Sequence, residues 1–251
     1  MRGIEVREQG AVRDVRLLGR ALNLEIVREL RAQLLTFTQD ERVRIVVLRG
    51  NDKLFCAGAD LHWMRDATTP ELTEFAALFA ELDHLPQAVI AVVEGPAIGG
   101  GVGLVACCDY VIASEAAWFQ FSEVKLGLMP AMIAPYLLAK IGPAATRAYG
   151  TSAQRFNAQR AYELGIVQHV VATNTDTTQA LDDIIAKYLE VAPGAIHATK
   201  TLLDELIHLP AVDATTRQQK TIAAIAARRA SQEAQQGVAA FLEHAKAPWQ
   251  A

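Results

Sequence analysis

The residues best suited to chemistry are four glycines near the start of a predicted helix. Gly99, Gly100, Gly101 and Gly103 follow an apolar segment at 88–95 that reads as a buried strand. Each glycine costs about 1 kcal/mol relative to alanine inside a helix, so the run indicates that something approaches the main chain closely. Because N–H groups at a helix start can donate to an anion, the run predicts an oxyanion or phosphate site. Tight packing of helix against strand would explain the same glycines.

A second turn of small residues follows another predicted strand, at 44–50. Ala57, Gly58 and Ala59 precede Asp60 in this turn and leave a second set of unpaired N–H groups at a strand end. Two amides from adjacent strand ends could meet at one carbonyl oxygen and stabilise an enolate. Losing one such donor typically costs about 3 to 4 kcal/mol of barrier.

The third candidate is Glu123, in the segment FQFSEVKLG. Ser122 can cap a short turn, and an acid at the first position of that turn would suit the helix dipole without any catalytic role. Alternatively, Glu123 is a general acid/base, a role that typically contributes ~10²- to 10⁴-fold. The apolar neighbours Phe121 and Val124 would raise the pKa of its carboxyl by desolvation.

The elements that must position these residues alternate between strands and helices. Short strands are predicted at 3–8, 12–18, 44–50, 88–95, 109–114, 117–121 and 167–171. Asn23 can cap a helix that runs to about Gln39, and Thr69 with Pro70 starts another that runs to about His84. Asp60 is expected to cap a helix that contains Trp63 and Met64. Alternating strands and helices imply right-handed crossovers and one layered α/β unit.

From about residue 130 the pattern becomes mainly helical. Helices are predicted at 143–150, 158–164, 176–192, 194–208 and 214–244, with Pro193 and Pro210 as breakers. No Pro- or Ser-rich linker separates the two halves. We therefore predict a catalytic core over 1–195 and a helical region over 196–251.

Composition and charge exclude several classes of protein. The 251 residues are 51% hydrophobic and 21% charged, which is typical of a globular chain with a core. The net charge of −4 offers no positive field for nucleic acid or an anionic membrane. Three cysteines without CxxC spacing and an amino terminus without an apolar h-region favour a reducing, cytoplasmic location.

No metal site is predicted. The six histidines are widely spaced, without HxxxH or carboxylate patterns: His62, His84, His169, His197, His208 and His244. Cys107 and Cys108 end an apolar helix and are expected to be small core residues, and Asp109 is expected to satisfy local backbone donors at the start of the next strand. Trp63 could line an acyl pocket or simply pack.

These motifs together resemble the crotonase superfamily, also called enoyl-CoA hydratase/isomerase. The resemblance covers nearly the whole chain: ALN before the first helix, FCAGAD, GPAIGGGVGL, FQFSEVKLGLMP and a helical tail. Within the family, AGADLHWM and SEVKLGLMPAMIAPYLL are most similar to hydratases acting on 3-methylglutaconyl-CoA and related branched, carboxylated acyl-CoAs. The resemblance implies a spiral of ββα units, with a C-terminal helical region that forms trimers or paired trimers. It also implies an acyl-CoA substrate and no separate cofactor.

The resemblance further implies roles for individual residues. The N–H groups of Ala59 and Gly100 would form the oxyanion hole, with Glu123 as the acid/base. Other residues are implied in or near the binding of substrate and coenzyme A: Ala21, Leu22, Ala57, Asp60, Trp63, Gly99, Gly103 and Lys246. Among them, Lys246 would lie near a CoA phosphate of a neighbouring subunit.

One departure from the family pattern leaves the reaction open. Family hydratases usually carry a second glutamate at the position occupied here by Gly103. Three functions follow: a hydratase, a Δ3,Δ2-enoyl-CoA isomerase that uses Glu123 alone, or a CoA-binding homologue without hydratase activity. If the second acid is the missing part, Gly103→Glu should raise hydratase activity. LLGR also replaces the expected NRP before ALN, which affects the predicted CoA contacts of Ala21 and Leu22.

Overall fold

The continuous β-branched segments form the centre of a six-stranded sheet. The computed structural model describes residues 3–174, 176–207 and 214–250. The strand order in this sheet is β1-β2-β3-β4-β6-β9, with β1 and β2 antiparallel and the other neighbours parallel. The strands are β1 Ile4–Gln9, β2 Val12–Leu17, β3 Ile45–Arg49, β4 Ala88–Val93, β6 Tyr110–Ser114 and β9 His169–Val171. A smaller sheet has the order β5-β7-β8, formed by β5 Ala97–Ile98, β7 Trp118–Gln120 and β8 Phe156–Asn157.

Both faces of the large sheet are covered. Alternate residues of β3 and β4, such as Val46 and Val89, belong to the larger core cluster, to which α1 Leu24–Gln39, α3 Thr69–Asp83 and α4 Gly100–Ala106 contribute. Their neighbours, such as Val47 and Ile90, belong to a second cluster that includes residues of α7 Asp176–Glu190. This burial on two faces is what the β-branched segments predict.

Local sequence signals set the helix starts. The Asn23 side chain accepts a hydrogen bond from Ile26 N at the start of α1, and Thr68 forms a capping box with Glu71 before α3. Two further helices are short: α2 Leu61–Asp66 and α6 Ala158–Leu164. Two 3₁₀ helices span Glu123–Leu126 and Pro248–Gln250.

The helical second half differs from the prediction in two places. The helix predicted at 143–150 is the second part of α5 Ala134–Ser152, which kinks at Gly142 where φ is +71°. The single helix predicted at 214–244 is two helices, α9 Ala214–Ala230 and α10 Gln232–Leu242. The break occurs because Ser231 has extended dihedrals and caps α10 through Ala234 N.

The C-terminal region begins with α8 Pro193–Ile207, so the predicted boundary at residue 195 lies just inside this helix. The division into 1–195 and 196–251 stays a prediction. His208 and Pro210 lie outside the described residues.

Arg44, immediately before the central strand β3, connects the last described residues to the core. Its guanidinium donates to the carbonyls of Leu189 and Val191 near the end of α7, and to that of Trp249. No helix within the described ranges combines the length and apolarity needed to cross a membrane.

Candidate active site

The two turns of small residues lie side by side because the strands that lead into them are parallel neighbours. β3 and β4 pair in parallel, so both chains leave the sheet at the same edge. Beyond the sheet, Cys56 and Ala97 form a parallel bridge, and Ile98 N donates to Cys56 O at 2.9 Å. Ala59 and Gly100 each lie three residues after this bridge.

The amides of Ala59 and Gly100 are both free. Within the described residues neither N–H donates a hydrogen bond to a protein group, whereas Asp60 N donates to Leu22 O and Gly99 N to Gln120 O. Gly100 is the first residue of α4, where an N–H has no intrahelical partner. The two predicted oxyanion-hole donors are thus adjacent, and neither N–H is used in a hydrogen bond within the described residues. Their catalytic role stays a prediction.

Glu123 reaches the same place from the small sheet. Ile98 pairs with Gln120 across β5 and β7, which brings the residues that follow each strand together. Gly99 has φ +50°, and a Cβ there would lie 3.0 Å from Glu123 Oε1. Glycine at this position therefore leaves room for the carboxylate beside the oxyanion turn.

Glu123 is half-buried, and one oxygen of its carboxyl is incompletely satisfied. Its Oε2 is enclosed by protein and has no hydrogen-bond partner among the described residues. Burial raises the pKa of the Glu123 carboxyl above its ordinary value of 4.5, against a smaller opposing effect from its own backbone amide. This is the direction that the apolar neighbours predict.

These groups line one cavity of about 350 Å³. Its wall is largely apolar and includes Leu61, Met64, Leu72, Phe75, Leu126, Leu128, Met129, Met132 and Ile133. Ala57, Ala59, Gly99, Gly100 and Glu123 are the predicted site residues that line it. Among the described residues of the lining, Glu123 alone has an ionisable side chain.

Gly103 lies behind the cavity wall. A Cβ on Gly103 would overlap Ile133 Cγ2 and would lie 2.9 Å from Phe79 Cε1. The space in which a glutamate side chain would begin is therefore filled by Ile133, itself only 2% exposed. Gly103→Glu would therefore require Ile133 to move, and its effect on hydratase activity stays a prediction.

Asp60 and Trp63 support the site without lining the cavity. Asp60 caps α2 as predicted, since its Oδ1 accepts from His62 N and Trp63 N. The Trp63 ring stacks on Phe75 with a centroid separation of 5.2 Å, so it packs behind a residue that does line the cavity.

The remaining predicted CoA contacts do not line the cavity. Leu22 is 1% exposed, and its N–H donates to Gly58 O while its carbonyl accepts from Asp60 N, so its main chain holds the Ala59 turn. Ala21 precedes it and is half-buried. Lys246 lines a separate surface cleft beside Arg44 and Trp249. Their contacts with coenzyme A stay predictions.

Three further sequence expectations meet the structure here. Ser122 makes no side-chain cap bond to the following turn, contrary to the expected cap. Asp109 bonds to a distant donor, Val89 N, and pairs with Lys200, instead of satisfying local donors. Cys107 and Cys108 are buried, as expected of core residues.

Tertiary packing also groups three potential metal ligands that the sequence pattern does not reveal. Ligand atoms of Asp83, His84 and Asp204 lie within 4.8 Å of one another. His84 Nδ1 lies 2.8 Å from Ala80 O and Nε2 lies 3.4 Å from Asp204 Oδ2. Residue spacing does not reveal this group, because Asp204 lies on another helix. None of the three lines the cavity.

A pair of free amides thus lies beside one half-buried carboxylate at the edge of a covered parallel sheet, and such an arrangement is chemically able to stabilise an oxyanion while a proton moves. The model of the Enoyl-CoA hydratase/isomerase family matches residues 7–251. The chain therefore belongs to this family, and the predicted membership of the crotonase superfamily and its α/β fold are confirmed.

Individual relatives agree with this assignment. The chain is 34% identical to the enoyl-CoA hydratase ACTT6 of Alternaria alternata over 80% of its own length and 69% of that protein. It is 30% identical to a crotonyl-CoA hydratase of Syntrophomonas wolfei over 90% and 88% of the two chains. Two other Alternaria enoyl-CoA hydratases are matched over 64% of their length, so the chain spans slightly less than two thirds of those relatives.

A solved structure confirms the fold over nearly the full chain. The enoyl-CoA hydratase from Shewanella pealeana superposes with a TM-score of 0.91 at 34% identity, covering 98% of this chain and 96% of that one.

Proposed function

We propose that this protein adds water to the double bond of a 2-enoyl-CoA thioester. The proposal rests on one observation: the free N–H groups of Ala59 and Gly100 line the same apolar cavity as Glu123, whose Oε2 has no hydrogen-bond partner among the described residues. The named activities of the relatives point to the same reaction.

The chemistry follows from this placement. The thioester oxygen accepts hydrogen bonds from the two amides, which draws electron density from C3 and stabilises the enolate that forms when water attacks there. Glu123 takes one proton from the water and returns it to C2 of the enolate. The reaction needs no cofactor beyond the coenzyme A that the substrate carries.

The identity of the acyl group depends on the side chains that line the cavity. The motifs predict a branched or carboxylated acyl group such as 3-methylglutaconyl, whose second carboxylate would need a partner. No described residue of the cavity lining carries a positive charge, which favours an uncharged acyl group. Comparing crotonyl-CoA with 3-methylglutaconyl-CoA at equal concentration tests the two, and a higher kcat/KM for the carboxylated thioester would restore the motif-based prediction.

The central test is loss of the conjugated enoyl absorbance on mixing purified protein with crotonyl-CoA. We expect Glu123→Gln to lower kcat by ~10²- to 10⁴-fold, because the amide cannot shuttle a proton. Glu115→Gln, at an exposed turn outside the cavity, is the matched control. Unchanged turnover in Glu123→Gln would favour a CoA-binding homologue without hydratase activity.

The lone carboxylate also favours a second candidate, a Δ3,Δ2-enoyl-CoA isomerase. Such a reaction needs one group to move a proton between C2 and C4, and Glu123 is the single ionisable side chain in the described lining. With a 3-enoyl-CoA as substrate, an isomerase yields the conjugated thioester without incorporating solvent oxygen. A hydratase leaves the 3-enoyl-CoA unchanged, and incorporates ¹⁸O from H₂¹⁸O only when it is given a 2-enoyl-CoA.

A further inference from the structure

The cavity holds one polar side chain that the proposed reaction has not used. Of the described lining residues, only Ser122 and Glu123 have oxygen or nitrogen in their side chains. Water added to C3 must be held while Glu123 removes its proton, and the remaining wall residues can offer no side-chain acceptor. Ser122 is therefore the one other side chain of the described lining that could hold this water through oxygen or nitrogen.

The Ser122 hydroxyl is not used to stabilise the fold. Serine before a helical turn usually accepts a bond from an amide of that turn, which requires extended dihedrals at the cap residue. Ser122 instead has φ −90° and ψ −8°, and its side chain makes no cap bond. No other described residue bonds to this hydroxyl, and it is not among the fully enclosed unpaired atoms, unlike Glu123 Oε2.

The hydroxyl and the carboxylate share one wall of the cavity. Measured from the position that a Cβ of Gly99 would take, Ser122 Oγ lies 3.6 Å away and Glu123 Oε1 lies 3.0 Å away. Because Gly99 has no side chain, both polar groups border the same space, next to the amide of Gly100.

We infer that Ser122 is a positioning residue for the water that is added. This inference rests on the proposed hydratase function. The water donates one hydrogen to Ser122 Oγ and the other to Glu123. As its oxygen bonds to C3, the O–H bond to Glu123 breaks, the proton moves to the carboxylate, and the π electrons move to the thioester oxygen. Glu123 then protonates C2, and Ser122 neither gains nor loses a proton.

The test separates water positioning from proton transfer. Hydration of crotonyl-CoA needs the water, whereas exchange of the C2 hydrogens of butyryl-CoA in D₂O needs the two amides and Glu123 but no added water. We expect Ser122→Ala to lower the kcat of hydration roughly tenfold with little change in KM, as for the loss of one hydrogen bond. Exchange should remain at the wild-type rate.

Two variants complete the design. Ser122→Thr keeps the hydroxyl and should retain more hydration than Ser122→Ala. Ser152→Ala is the matched control, because that hydroxyl bonds to Ala148 O at the end of α5, outside the cavity. Glu123→Gln should lose hydration and exchange together.

Three outcomes would overturn the inference. Unchanged hydration in Ser122→Ala would show that the hydroxyl does not hold the water. Parallel losses of hydration and exchange would show that Ser122 only maintains the shape of the site. If the wild-type protein exchanges deuterium but hydrates no enoyl-CoA, the proposed function itself fails and this inference fails with it.

Discussion

At the scale of single residues, the environment that suits Glu123 to its proposed role also lowers the stability of the fold. One oxygen of the Glu123 carboxyl is enclosed without a hydrogen-bond partner, and partial burial raises the pKa of the carboxyl. The folded protein therefore binds the Glu123 proton more tightly than the unfolded chain does. The contribution of Glu123 to the free energy of unfolding therefore decreases as the pH rises from 4.5 through the raised pKa, and it stays at its lower value above that pKa.

We accordingly expect Glu123→Gln to be more stable than the wild type at pH 7, by about 1 kcal/mol, because an unsatisfied charge is removed. Urea denaturation at pH 7 and at pH 4 measures the difference, which should shrink at the lower pH where the wild-type carboxyl is protonated in both states. A less stable variant at pH 7 would contradict this account. Glu115→Gln again serves as the control.

The same raised pKa shapes the dependence of activity on pH. Glu123 must be ionised to accept the proton of water, so kcat/KM should fall as pH decreases through the pKa of the free enzyme. We expect the midpoint of this fall to lie above 4.5. A plateau that extends below pH 4.5 would mean that another group accepts the proton.

At the scale of elements, helix α4 and the start of α5 fit together because Gly103 has no side chain. Ile133 fills that space and also lines the cavity. The contact therefore sets both the approach of the two helices and one wall of the site.

We expect Gly103→Ala to destabilise the fold by about 1 to 3 kcal/mol through overpacking. Ile133→Ala removes the Cγ2 that the new methyl group would overlap, so the double variant should lose less stability than the sum of the two single variants. Chemical denaturation of all four proteins completes the cycle. Additive losses would show that the contact relaxes by another route.

At the scale of the whole molecule, the C-terminal helices carry large apolar side chains without cover. They are Leu203, Ile207, Ile222, Ile225, Val238, Phe241 and Leu242, each at least 55% exposed. A surface of this kind is expected to be buried between subunits. The trimers or paired trimers implied by the family resemblance stay a prediction that this surface supports.

Phe241, 80% exposed, offers the sharpest test. Burying a phenylalanine is worth about 1.5 to 3 kcal/mol, so Phe241→Glu should weaken each subunit contact and shift the mass in light scattering toward the monomer. Leu35→Glu is the matched control on α1, since Leu35 is also exposed at 61%. A wild-type protein that is already monomeric would refute the prediction.

The sequence alone determined the features that depend on neighbouring residues. The β-branched runs specified β3 and β4, Asp60 and Asn23 specified helix starts, and the small-residue turns predicted free amides at two strand ends. These follow from side-chain period, capping and backbone sterics, which act over a few residues. These turns and the motif around Glu123 together carried the resemblance to the family, and that resemblance implied Ala59 and Gly100 as the two donors.

Tertiary structure alone decided what fills the space around those features. Ile133 occupies the position next to Gly103, Trp63 lies behind Phe75, and the Ser122 hydroxyl is left without a cap bond beside Glu123. The first contact joins residues far apart along the chain, the second joins two successive helices, and the third follows from the dihedral angles that the fold imposes on Ser122. Such contacts arise from close packing in three dimensions, which no local pattern of residue types encodes.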